Sequence, residues 1–152
     1  MERGRAEIAL LPSFTVGPGL KFLQAKDFAM LLNLPCTVGW NLKKGTYFSI
    51  SVPVMLNFNF GSAAGNNENA KFGIGLGAGA GYTNIVNYYE ESLNKRAHTE
   101  FWGYHFIVAV SFKPDKDDKI VPSLLFSFGK SFIPDGGYVA GVGFCVGLGM
   151  NN

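Results

Sequence analysis

Charge is what this chain lacks most. Asp, Glu, Lys and Arg make up 16% of its 152 residues, where about 25% is ordinary for a soluble domain. The net charge of +2 sets up no broad field, and no basic cluster exceeds the pair Lys43-Lys44, so nothing supports a nucleic-acid partner. Cysteine is also scarce. Cys36 and Cys145 are too few for a disulfide framework and have no His or Cys at zinc-ligand spacing. Long apolar runs are missing too. No window of about eighteen consecutive apolar residues occurs, which excludes an ordinary transmembrane helix. The N-terminal MERGRAEIAL carries charge where a signal peptide needs an apolar stretch.

Against these absences stand 47% hydrophobic residues and 20 glycines. In KFGIGLGAGAGYTN, Lys71 to Asn84, a glycine occupies alternate positions from Gly73 to Gly81, with Phe72, Ile74, Leu76, Ala78, Ala80 and Tyr82 on the others. A dinucleotide fingerprint needs Gly-x-Gly-x-x-Gly at a helix start, and that spacing never occurs, so no nucleotide cofactor is expected. A period of two is instead the period of a strand with two unlike faces.

The same period runs through the chain. Alternating segments cover about Arg5 to Val16, Phe28 to Trp40, Tyr47 to Phe60, Phe72 to Asn84, Phe101 to Phe112, Ile120 to Gly129 and Tyr138 to Met150. Between them lie turn-forming pieces: GPG at Gly17 to Gly19, NLKKG at Asn41 to Gly45, GSAAGNNENA at Gly61 to Ala70, PDKDDK at Pro114 to Lys119 and IPDGG at Ile133 to Gly137. Each reads as a reversal of an antiparallel meander. The expected fold is all-β, a single domain over residues 1–152 forming an antiparallel up-and-down transmembrane β-barrel of about eight strands, seven of them visible. Leu20 to Gln24, part of the Asn84 to Glu100 connector, or a strand from outside the chain would supply the eighth.

Charge placement decides which face is inside. A soluble lipocalin-like ligand-binding barrel turns its apolar face inward and wets the other with charged side chains. Here no Asp, Glu, Lys or Arg interrupts the strand bodies from Ile8 onward. The bulky faces, such as Phe48, Ile50, Val52, Val54, Leu56, Phe58 and Phe60, therefore read as lipid-facing. The small and polar faces fill a narrow lumen. That assigns Asn33, Thr37, Ser49, Ser51, Asn57, Asn59, His105 and Ser111 to a polar lumen cluster, with Ser123 and Ser127 beside them. It also puts Cys36 on the outer face and Cys145 on the inner one, so that the two do not bond. Trp40, Tyr47, Tyr82, Trp102, Tyr104 and Tyr138, with Tyr88, Tyr89 and Phe101, fall at strand ends on one side and read as an interfacial aromatic girdle.

The strands FGIGLGAGAGY, GYVAGVGFCVGLG and FSISVPVMLNF resemble those of small outer-membrane β-barrel domains of the Bacteroidota type, similar in architecture to the eight-stranded outer-membrane protein A and X groups. That resemblance implies the outer membrane of a Gram-negative bacterium, with no signal peptide in this chain. It implies lipid or lipopolysaccharide as neighbours, and a porin-like fold whose lumen is filled and not an open pore. The C-terminal GLGMNN departs from it, since many such barrels end on an aromatic residue. The expected role is structural or one of surface interaction, non-enzymatic, with a protein partner reached through the Val86 to Thr99 connector or a missing strand.

Little chemistry competes with this. A lipid A-modifying enzyme needs a His with a Ser and a carboxylate. Only His98 and His105 exist, the first beside a connector, the second within a strand and facing inward. Asp115, Asp117 and Asp118 lack the Gly and distal Glu of a calcium loop and read as a solvated turn, so no metal is expected. Lys43, Lys44, Lys95 and Arg96 lie on the girdle side, within reach of anionic headgroups.

Overall fold

In the computed structural model, which describes residues 12–41, 47–64, 69–87, 98–113, 120–134 and 137–148, nine strands make one sheet. They are β1 (Pro12–Val16), β2 (Gly19–Gln24), β3 (Phe28–Asn33), β4 (Cys36–Asn41), β5 (Tyr47–Gly61), β6 (Phe72–Asn87), β7 (His98–Phe112), β8 (Ile120–Ser131) and β9 (Tyr138–Leu148), with a 3-10 turn at Ser62–Ala64. β5 to β9 form an antiparallel meander. The sheet closes because β1 pairs with β4 on one side and with β9 on the other. The closed wall has seven staves, mostly antiparallel. Seven is odd, so first and last run the same way: the β1–β9 joint is parallel and short, Pro12–Thr15 against Val142–Cys145.

The GPG reversal does not occur. The ladder between β1 and β4 continues in one register into the ladder between β2 and β3, from Ser13↔Gly39 through Val16↔Cys36 to Gly19↔Asn33. β1 and β2 are thus one stave, and so are β3 and β4, whose pairings with β5 also stay in register, from Asn33↔Met55 to Thr37↔Ser51. Proline explains the mistaken turn. Pro18 and Pro35 lack an N–H and interrupt a ladder, yet their fixed φ suits extended chain. Pro18 still accepts a bond at its carbonyl from Leu34 N–H, 3.0 Å. Gly17 is required, because a Cβ there would strike the Leu34 carbonyl. The true reversal is the tight turn at Ala25–Asp27, where Ala25 N–H bonds the Phe28 carbonyl at 2.7 Å. The Leu20 to Gln24 strand exists, but as the end of the first stave and not as an eighth. It carries a register shift at Lys21/Leu23 and pairs only with β3 among the described residues.

The register fixes the barrel's shape. Paired residues followed round the wall from Phe60 run through Ile74, Val110, Leu124, Phe144, Phe14 and Val38 to Ile50, ten residues from the start on the same strand. Seven staves with that stagger tilt by about 45° and form a wall about 8 Å in radius, given strands about 4.8 Å apart and a rise of about 3.3 Å per residue. Every residue met on this circuit is apolar. The inner circuit from Asn59 passes Gly75, Ala109, Leu125, Gly143, Ser13 and Gly39 to Ser49. It meets small or polar side chains and one leucine.

Candidate functional site: the filled lumen and the outer wall

The outer wall carries the bulky side chains. On β5 and β6, Ile50, Val52, Val54, Ile74 and Leu76 are exposed; so are Phe106, Val108, Leu124, Phe126 and Phe144 on β7 to β9. Two aromatic belts bound this surface. At one mouth, which we call the upper, stand Trp40, Trp102, Tyr104 and Tyr138, all exposed, with the half-buried Tyr82. Tyr82 and Trp102 have ring centroids 5.7 Å apart, and Tyr104 meets Phe132 edge-on at 4.6 Å. At the lower mouth the belt is phenylalanine only, with Phe28 against Phe60 at 5.2 Å and Phe72 against Phe112 at 5.7 Å. Phe72 and Tyr82 lie ten residues apart on β6, as do Phe112 and Trp102 on β7. At a tilt of about 45° that separates the belts by about 23 Å.

Some of the aromatics assigned to the girdle need comment. Phe101 does not belong to it, for it points inward and is 7% exposed. It pairs with Thr83, one position out of phase with Tyr82 and Trp102. The side chain of Tyr47, and all of Tyr88 and Tyr89, lie outside the described residues. Charges in strands sit near the mouths. Glu100, near the upper end of β7, accepts a 2.6 Å bond from Tyr82 Oη, and Asn84 Nδ2 donates to that same Oη at 3.1 Å. Lys130 stands beside Tyr104 and Tyr138. Lys21 turns inward at the lower mouth, its Nζ 3.5 Å from the Ala64 carbonyl.

Inside, the alternate glycines of β6 each face one residue of β5: Gly81 faces Pro53, Gly79 Met55, Gly77 Asn57 and Gly75 Asn59. A Cβ at Gly77 would meet the Asn57 amide, one at Gly79 would strike the Val54 carbonyl and crowd Met55, and one at Gly81 would enter the Pro53 backbone. The glycine lane is the space into which β5 lays its inward side chains. Met55, fully buried, packs with Ile107, Leu125 and Ala109 across the middle of the lumen. The 3-10 turn lies over the lower mouth, where Ser62 and Ala64 are buried and Asn59 Nδ2 donates to the Ala63 carbonyl at 3.1 Å.

The polar inward residues form a pattern that alternation along single strands does not reveal. One inner circuit climbs from Gly61 and Gly73 at the lower mouth through Ser111, Ser123 and Cys145, then through Thr15 and Thr37 to Ser51. Ser111 and Ser123 share a 2.8 Å bond, as do Thr15 and Thr37, and Cys145 Sγ donates to the Thr15 carbonyl at 3.8 Å. Ser51 then bonds Thr83 at 3.1 Å, and Thr83 meets His105 Nε2 at 3.4 Å. His105 is buried and its ring lies against Gly129. Asn33 and Asn57 face the lumen off this row, each with a buried, unpartnered Oδ1. Ser49 and Asn59 are half-buried on the neighbouring circuit.

Among the described residues no three His, Cys, Asp or Glu side chains come together as a metal site would need. The Asp115, Asp117 and Asp118 turn, Lys43, Lys44, Lys95 and Arg96, the His98 side chain and the middle of the Val86 to Thr99 connector, residues 88–97, lie outside the described residues. The connector's ends are strand, since β6 reaches Asn87 and β7 starts at His98. Both cysteines are free. Cys36 pairs with the outward Val16, and Cys145 with the inward Thr15. Because the two thiols do not bond to each other, a maleimide should label both after denaturation without reductant, and mass spectrometry should count two adducts. Comparison with protein-family models, with curated proteins and with solved structures returned no match.

Proposed function

We propose that this chain is an integral barrel of a Gram-negative outer membrane, non-enzymatic, with a packed lumen and a structural or surface-interaction role exercised through its upper connectors. The observation that carries the reading is the uninterrupted apolar circuit of the wall. In water such a surface is an association hazard far beyond the few hundred Å² of apolar patch usual on a monomer. In hydrocarbon it is the required surface, and the β1–β9 joint closes the wall over Pro12–Thr15 and Val142–Cys145. The belt spacing of about 23 Å agrees with an apolar band about 25 Å tall, and ten residues at about 45° is the length a spanning strand needs. Tyr and Trp at the upper belt suit a polar–apolar boundary, where an amphipathic ring satisfies both sides.

A ligand-binding barrel of the lipocalin kind places its apolar side chains around an internal cavity. Here Met55, Asn57, Asn59 and Pro53 occupy the inside and the bulky residues stand outside, which favours the membrane reading. Closed membrane barrels resist detergent until boiled. The folded protein should therefore run at a different apparent mass on a detergent gel unboiled than boiled. A single band position under both conditions, together with a monodisperse species in buffer without detergent, would sink the proposal.

A further inference from the structure

Lys21, Glu100 and Lys130 are the only Asp, Glu, Lys or Arg within the nine strands. Lys21 turns inward, while the other two stand exposed on the outer wall at the upper belt, on neighbouring strands and with opposite sign. We propose, resting on the membrane reading above, that this stretch of wall seats the headgroup of a phospholipid carrying a primary ammonium, with Glu100 holding the ammonium and Lys130 the phosphate. The order of the two charges fits. Lys130 is paired with Tyr104, and Glu100 lies four residues nearer the mouth on the strand of Tyr104, about 9 Å higher at a tilt of about 45°. In such a lipid the phosphate joins the acyl-bearing end, and the ammonium ends the arm that reaches towards water. A lysine stem lies along apolar surface and lifts its Nζ towards the headgroups. The two protein charges thus meet the two lipid charges in the right sequence.

Hydrogen-bond donors are scarce around Glu100, which selects a primary ammonium. Tyr82 Oη gives its one proton to Glu100 Oε2 and takes a bond from Asn84 Nδ2. Asn84 Oδ1, a buried acceptor, has no partner. A carboxylate has about four lone-pair sites and a primary ammonium three N–H donors, so the ammonium joins Tyr82 at Glu100 without displacing it. A trimethylated ammonium has no N–H to give. Below Glu100 the exposed Trp102 makes a floor, its ring centroid 5.7 Å from that of Tyr82. Phe132 N–H bonds the Trp102 carbonyl at 3.0 Å, which sets the Tyr104–Phe132 ring pair beside it. Ring faces of this kind attract a cation. A charge on the lipid face is tolerated near an interface. The lower belt is phenylalanine with no carboxylate in its strands, so among the described residues this chemistry is confined to the upper mouth.

Trp40 and Trp102 are the two tryptophans, so Trp40→Phe leaves one reporter, in the seat. This protein is inserted into phosphatidylcholine vesicles holding a minor share of a brominated lipid, whose bromine quenches a tryptophan it touches. Brominated phosphatidylethanolamine should quench Trp102 as though enriched about fivefold over brominated phosphatidylcholine, the upper end for an exposed ion pair. Trp102→Phe, reporting from Trp40 on β4, three staves away, should show no preference. Brominated phosphatidylglycerol, a phosphate without the ammonium, should show none at Trp102 either. Adding Glu100→Gln, which keeps size and removes charge, should bring the ethanolamine and choline lipids to parity and raise the glycerol lipid above both, since Lys130 then acts alone. N-methylated ethanolamine lipids repeat the test without touching the seat, should that variant fail to insert: the preference should fall with each N–H replaced. Insertion is read on the same vesicles by the unboiled gel. In an inserted barrel, parental parity of the ethanolamine and choline lipids, an equal preference at Trp40, a parental preference for the glycerol lipid, or a preference unmoved by Glu100→Gln or by N-methylation overturns the inference alone. Failure of the parent to insert overturns the membrane reading and the inference with it.

Discussion

Replacing Leu76 by Arg should abolish insertion into vesicles, while Leu76→Phe should insert like the parent. Leu76 is exposed at mid-wall, four residues from Phe72 and six from Tyr82 on β6, so an arginine there stands far from either mouth. At the bilayer midplane a lipid-facing Arg or Lys costs about 2–4 kcal/mol, a large share of the stability of about 5–15 kcal/mol that keeps an ordinary domain folded. The partners across the wall, Phe58 and Val108, offer the guanidinium no counter-charge. For a barrel standing in water the same change would cost next to nothing, or improve solubility. The sign of the effect therefore separates the two environments. A gel-shift assay of folding into vesicles reads it; a Leu76→Arg variant that inserts at the parental yield would remove the main support for the membrane reading.

Gly81→Val should be strongly damaging, and no truncation opposite it should restore folding. The added Cβ would run into the Pro53 backbone and the Val52 carbonyl, atoms that cannot move without shifting β5. Gly77→Ala makes the contrast. Its obstacle is the side-chain amide of Asn57, so Asn57→Ala in the same chain should recover most of the loss. Overpacking of this kind costs typically about 1–3 kcal/mol, with Gly81 expected at or beyond the upper end and Gly77 at the lower. Urea midpoints of the vesicle-folded variants measure both. Rescue of Gly81→Val by a side-chain truncation on β5, or no rescue of Gly77→Ala by Asn57→Ala, would mean the strands are not registered Gly81 to Pro53 and Gly77 to Asn57.

The two faces of each strand were legible because the outside and the packed lumen of a narrow barrel make opposite demands on neighbouring positions. Phe72, Ile74 and Leu76 against Gly73, Gly75 and Gly77 state that demand plainly. Staves were harder to count. GPG at Gly17 to Gly19 has the residues of a turn, and nothing local reveals that Pro18 keeps the chain straight; the Leu34 N–H that bonds its carbonyl comes from another stave. Phe101 misled for a simpler reason. An aromatic near a strand end suggests a belt, but phase, set here by its pairing with Thr83, decides which way it points. The hydroxyl row was beyond any reading of single strands, because Ser111, Thr15 and Ser51 become neighbours only through the stagger of the closed wall. Ser111, Ser123, Cys145, Thr37 and Ser51 were read as inward, without their order; Thr15 and Thr83 were not among the assigned lumen residues.

The parallel joint between β1 and β9 has a topographic consequence. With an even number of staves both chain ends would leave the barrel through the same mouth. With seven, the chain enters the wall at Pro12 beside the upper mouth and leaves it at Leu148 beside the lower. In a bilayer those two points look into different compartments. An epitope fused ahead of β1 and another fused behind β9 would then answer to antibodies from opposite sides of one membrane, making the chain a two-sided reporter of its own orientation.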